Sequence, residues 1–218
     1  MRKAKENLSS PARRIRIGLA GAACALAACV LPASALGTTD TTQFSVSAGS
    51  LAFDADPNVP DLPGLTLSGQ AQTVNAQMAN FTIEDASGTG AGYNVTVAGD
   101  SAAGKSPVFK QYNTVTQTYG TAALLANSLT LTSTGADFSG IGGTTGTKPS
   151  HQCGSGCFVD SASPVEVVSA AAGTGMGTWA TTGYSASSLA LAAPSTLQAL
   201  DADEVYRVDL VWSLNSGP

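Results

Sequence analysis

The chain is 218 residues long and carries 15 acidic residues, 10 basic ones and a single histidine. Arg2, Lys3, Lys5, Arg13, Arg14 and Arg16 all stand near its start, so residues 36–218 keep 4 basic against 14 acidic residues, a net charge of 4 − 14 = −10. Such a chain has no electrostatic means of gripping nucleic acid, and without a bridging divalent cation it is repelled by anionic lipid and by wall teichoic acid.

The basic start runs into an uncharged stretch of 14 residues, 18–31. That is too short to cross roughly 30 Å of hydrocarbon, which takes about 20 helical residues. Ala33-Ser34-Ala35 then offers small side chains where a signal peptidase reads. Residues 1–35 are therefore expected to be a cleaved signal peptide, and residues 36–218 a single exported domain with enough chain to bury a core. The Arg13-Arg14 pair suggests twin-arginine export but lacks most of the surrounding motif. Leu26-Ala27-Ala28-Cys29 resembles a lipobox, in which Cys29 would carry lipid and tether the chain to the membrane; against it, Val30, Leu31 and Pro32 follow where a polar linker is usual.

Beyond residue 35 nothing reads as a long amphipathic helix. Short alternating runs rich in Val, Thr, Leu and aromatics are punctuated by Gly, Ser, Asn and Asp. They predict strands at 43–47, 65–67, 71–75, 80–84, 93–98, 128–132, 165–169, 188–191 and 205–215. The fold class that follows is all-β, a single antiparallel β-sandwich or barrel-like domain. Two stretches, 99–126 and 135–163, read as long surface insertions, the first with a short helix near 121–126. In the last ribbon Tyr206, Val208, Leu210, Trp212 and Leu214 alternate with Arg207, Asp209, Ser213 and Asn215. A period of two puts the five apolar side chains on one face of a strand roughly 30 Å long. Tyr93, Val95 and Val97 alternate with Asn94 and Thr96 in the same way. Both ribbons are expected to face the core, where each large side chain stabilises by about 1.5–3 kcal/mol.

Cys153 and Cys157 flank Gly154-Ser155-Gly156, a flexible insert, and export favours a disulfide between them. The alternative is a metal site with His151, for which only three ligands are in sight. Asp54, Asp56 and Asp61, and again Asp201, Asp203 and Glu204, crowd acids into loops in the manner of weak calcium ligands, without EF-hand spacing. No other cofactor is indicated. An enzyme is not expected either. His151 is the one histidine, no nucleophile elbow accompanies it, and no pair of carboxylates sits in a glycosidase motif.

The ending Tyr206-Arg-Val-Asp-Leu210-Val-Trp212-Ser-Leu214-Asn-Ser-Gly-Pro218 resembles the C-terminal signature of WxL domains. Phe81-Thr-Ile-Glu-Asp85-Ala-Ser-Gly88-Thr-Gly90-Ala-Gly92-Tyr93-Asn-Val95-Thr-Val97 is similar to the first signature of that family, and Ala170-Ala-Ala-Gly173-Thr-Gly175-Met176-Gly177-Thr-Trp179 to its Gly-rich segment. The likeness runs from about Phe44 to Pro218. One departure stands out: Tyr93-Asn94-Val95 occupies the place of the first Trp-x-Leu, so only Trp212-Ser213-Leu214 is intact. The resemblance implies a non-catalytic surface protein held to the bacterial cell wall, on peptidoglycan or another wall polymer, without a covalent bond.

Tyr93, Val95, Tyr206, Leu210, Trp212 and Leu214 carry the family motif and are read as core by their alternation. Trp179 follows three glycines and is as well suited to a loop tip as to packing. Tyr112, Tyr119 and Tyr184 lie in polar surroundings from which rings can meet a glycan. With Trp179 and the two insertions they form the expected wall-contact face, which also suits another surface protein. A different class of reading is a structural subunit of a surface layer or fibre, assembled by edge-strand or donor-strand pairing. A third is a lipoprotein that senses small ligands.

Overall fold

The computed structural model describes residues 41–218; the expected signal peptide, Cys29 included, lies outside them. In chain order the strands are β1 (Leu51–Ala55), β2 (Gln72–Ala76), β3 (Thr82–Asp85), β4 (Tyr93–Gly99), β5 (Lys110–Asn113), β6 (Thr118–Ala123), β7 (Leu129–Leu131) and β8 (Asp137–Ile141). They continue as β9 (Ser150–His151), β10 (Cys157–Phe158), β11 (Val165–Ala170), β12 (Gly177–Thr182), β13 (Leu189–Ala193), β14 (Glu204–Arg207) and β15 (Leu210–Ser216). No helix occurs among the described residues. The strands form four antiparallel sheets, in the orders β1-β3-β12-β8, β10-β7-β13-β2, β15-β4-β11-β9 and β14-β5-β6, packed in a sandwich-like body over Ser45–Pro218. The all-β expectation holds.

β4 shows why this sequence makes these strands. Its aromatic and β-branched residues suit a pleated surface, and their spacing puts Tyr93, Val95 and Val97 inward at 0% exposure, with Asn94 and Thr96 half-buried between them. Phe81, Ile83, Met78, Leu129, Leu189 and Val168 complete the fully buried centre. Phe81 links two sheets: Phe53 of β1 meets it edge-on at 6.3 Å, and Trp212 of β15 lies tilted at 6.0 Å.

Several sequence expectations need correction. Residues 43–47 and 65–67 form no strand, while β1 and β12 arise where none was expected. The 99–126 stretch is a hairpin, not an insertion, and strand β6 with its continuation replaces the helix expected near 121–126. The turn is nucleated locally: Asn113 Oδ1 accepts the N–H groups of Val115 (3.0 Å) and Thr116 (2.8 Å), a side-chain turn typical of asparagine. Residues 135–163 are likewise no simple loop. They contribute β8, β9 and β10, one short strand to each of three sheets. The 205–215 ribbon is two strands, not one. β14 pairs with β5, β15 pairs with β4, and the chain passes between the sheets at Val208 and Asp209.

Candidate functional site

The two motif ribbons are neighbours. β15 lies beside β4 with Trp212 opposite Val97, Leu214 opposite Val95 and Ser216 opposite Tyr93. Leu210, Trp212 and Leu214 of β15, and Tyr206 of β14, are half-buried and pack against the core. The two Gly-rich stretches close over the other end of β4, where Gly173 N–H donates to Gly90 O at 2.8 Å. Gly175, at φ +75°, comes so near the Tyr93 ring that a Cβ there would sit 2.8 Å from Cε1. Three segments scattered in sequence thus meet around Tyr93. Its hydroxyl is buried and has no hydrogen-bond partner among the described residues, and burial, aided by the charge of Asp85, pushes the phenol well above its ordinary value.

The expected contact face does not assemble as drawn. Trp179 is only 5% exposed, in a strand flanked by β3 and β8, and its indole N–H donates to Met176 O at 3.0 Å. Tyr184 is 4% exposed, its ring meeting His151. Neither offers a platform to a sugar. Tyr112 and Tyr119 are half-buried partners across the β5–β6 hairpin, with ring centroids 4.9 Å apart.

A charged hub that the sequence reading missed holds those tyrosines. Asp209, 8% exposed, sits where the chain leaves β14 for β15. Its carboxylate accepts the Tyr119 hydroxyl, the Arg207 guanidinium (2.7 Å), the Ser106 N–H (3.1 Å) and Lys105 Nζ (3.5 Å). Arg207 also lies over the Tyr112 ring, 4.5 Å from its centroid, a cation–π contact. Lys110 stands opposite Arg207 in the sheet. Three of the four basic residues in 36–218 are therefore gathered in and beside the β14-β5-β6 sheet. The signal available was an acid beside an arginine inside an otherwise apolar ribbon.

Beside this hub a cavity of about 1230 Å³ opens along the last ribbon. Val208, Leu210 and Trp212 line it, together with Leu62 and Leu65 of a proline-rich loop and Leu197.

Cys153 and Cys157 are joined in a disulfide with Cα atoms 5.2 Å apart, which overturns the metal reading with His151. Among the described residues no three His, Cys, Asp or Glu side chains are gathered in one group. Closing so small a ring contributes about 2 kcal/mol on loop-entropy grounds. Reduction should lower unfolding stability by about that much in a denaturant titration, leaving the folded circular-dichroism spectrum intact.

His151 stacks on Phe138 at 4.4 Å and meets the Tyr184 edge at 5.5 Å, with both ring nitrogens buried. Burial holds the imidazole below its ordinary value against the pull of Asp137. The unfolded chain takes up the proton first, near pH 6.5. Stability is full above that pH and is lost as pH falls below it toward the folded value. A thermal-melting series between about pH 7 and 5 should show this slope, and His151→Phe should flatten it.

Fold and signatures together define a sandwich-like all-β domain whose motif strands adjoin. The chain belongs to the WxL family: the family described as WxL domain surface cell wall-binding matches residues 42–218. It is thus a cell-surface domain of a wall-binding family. Neither the curated proteins nor the solved structures contain a significant match.

Proposed function

We infer that this chain is an exported, non-catalytic module that holds to peptidoglycan without a covalent bond, with the β14-β5-β6 sheet as the contact. The observation that carries the location is the clustering of Lys105, Lys110 and Arg207 around Tyr112 and Tyr119 in a chain that is otherwise strongly acidic. Charges more than about 8 Å apart are largely screened at physiological salt. An acidic body therefore approaches an anionic wall through the sheet where its few cations gather, Lys110 opposite Arg207, which with Lys105 shares Asp209. Each exposed ion pair contributes only about 0.2–1 kcal/mol, which suits attachment that a chaotrope or salt wash reverses.

Sedimentation with purified peptidoglycan tests this. The protein should pellet with wall fragments and be released by chaotrope. The double substitution Lys105→Glu, Lys110→Glu, at side chains outside the core, should reduce the retained fraction about tenfold, the effect of roughly 1.4 kcal/mol. Unchanged retention would remove this sheet from consideration, and failure of the wild type to pellet would remove the polymer.

A further inference from the structure

Among the described residues β15 is the outer strand of its sheet, paired on one side only, with β4. Two bonds just beyond the strand ends fix which of its backbone groups are used: Asp100 N–H donates to Asp209 O at 2.8 Å, and Gly217 N–H to Gly92 O at 2.9 Å. In an antiparallel ladder, hydrogen-bonded and non-bonded pairs alternate. With Val211 opposite Ala98, Ser213 opposite Thr96 and Asn215 opposite Asn94, these three spend their N–H and C=O groups on β4. Leu210, Trp212 and Leu214 turn theirs away from β4, to the side on which no strand pairs with β15 among the described residues. Leu210 and Trp212 also line the cavity, whose wall combines Leu62, Leu65 and Leu197 with Glu204 and Arg207. Unused backbone donors and acceptors thus lie next to a partly apolar space of about 1230 Å³, the two things that an added strand satisfies at once.

The same chain carries a strand pattern with no sheet. In residues 43–47 Phe44 and Val46 alternate with Gln43, Ser45 and Ser47, yet they pair with nothing among the described residues. Phe44 is 88% exposed and Val46 81%. A few residues on, Gly49 N–H donates to Ala86 O and Ala86 N–H to Ser50 O, both at 2.9 Å, so the segment springs from a fixed root. Two large apolar side chains at a spacing of two share one face of an extended segment.

We propose that residues 43–47 of one copy pair with the free edge of β15 in a second copy, seating Phe44 and Val46 in the cavity beside Trp212. Donor and acceptor are different surfaces, so the contact is heterologous and propagates from copy to copy unless a rotation closes it. It is separable from wall attachment at Lys105 and Lys110, which neither surface includes, although the cavity shares Arg207 with that sheet.

The test uses the purified protein and the double substitution Phe44→Asp, Val46→Asp, at positions with no buried contact to lose. Light scattering over rising concentration should show the wild type assembling and the variant remaining a monomer. Amide exchange at Leu210, Trp212 and Leu214 should be about tenfold slower in the assembled wild type than in the variant. A synthetic peptide of residues 41–50 added to the variant should restore that slowing. The proposal is overturned by a wild type that stays monomeric with fast exchange at those three amides, or by assembly that survives the double substitution. It is equally overturned by slow exchange in the monomer at every concentration, which would mean that the segment folds back on its own edge. Peptidoglycan sedimentation of the variant, run alongside, separates this outcome from failure of the wall reading.

Discussion

Gly92→Ala should remove about 4 kcal/mol or more of folding stability, enough to leave a marginal domain largely unfolded. Two independent effects converge on this residue. Its φ of +77° lies in the left-handed region, which a residue with a Cβ enters at a cost of about 1–2 kcal/mol. The added Cβ would also sit 2.2 Å from Ala170 O and 2.8 Å from the Ala171 carbonyl carbon. Those are backbone atoms at the end of β11, the neighbour of β4, and they cannot move aside without pulling the ladder apart at Ala170 and Tyr93. Chemical denaturation of the variant against the wild type measures the loss. Gly88→Ala is the control. It has a similar φ of +68° but open space where the Cβ would go, so only the conformational part, about 1–2 kcal/mol, should appear.

Asp209→Ala should lower stability by roughly 2–4 kcal/mol, the second-largest effect expected. Arg207 and Lys105 are 41% and 44% exposed, so water compensates much of their loss. The Ser106 N–H and the Tyr119 hydroxyl lose their acceptor in a buried seam, and that is where the penalty falls. Burial alone would raise the Asp209 carboxyl; the bonds from Tyr119, Arg207 and the Ser106 N–H reverse this and hold it below the ordinary carboxylate value. Its contribution is therefore present above the unfolded value and lost as pH falls through the lower folded one. The alanine variant should lack this part of the acid transition, and Asp209→Asn, which keeps an acceptor oxygen, should be the milder substitution. Melting curves below about pH 4 read both.

The legible parts of the sequence were those in which one face is wholly apolar. Tyr93, Val95 and Val97, and the five alternating residues from Tyr206 to Leu214, could be placed because period-two burial leaves an unambiguous mark. Strand β12 was hidden by its neighbours. Three glycines ahead of Trp179 suggest a loose tip, but Gly177, at φ +91°, is there because Thr144 packs within 2.7 Å of its would-be Cβ. The glycine serves close packing, and the indole it precedes is buried. Strand β5 left no pattern because it is half-buried on both faces, as the run Lys110, Gln111, Tyr112, Asn113 shows. Asp209 was read as an outward residue on the assumption of one continuous strand. The ribbon changes sheets there, so its outward side is a seam. Long-range pairing, such as that of β8, β9 and β10 with three different sheets, has no local signature.

The pairing of β15 with β4 also sets a timetable. Asn94 and Asn215, bonded side chain to side chain at 3.0 Å, are 121 residues apart in the chain. The strand holding Tyr93 therefore lacks one of its two neighbours until residues 210–216 have been made and delivered, and contacts of such wide separation form slowly, on the order of milliseconds to seconds. The central strand is thus the last to be completed, and the arrival of that distant neighbour is the event that sets it.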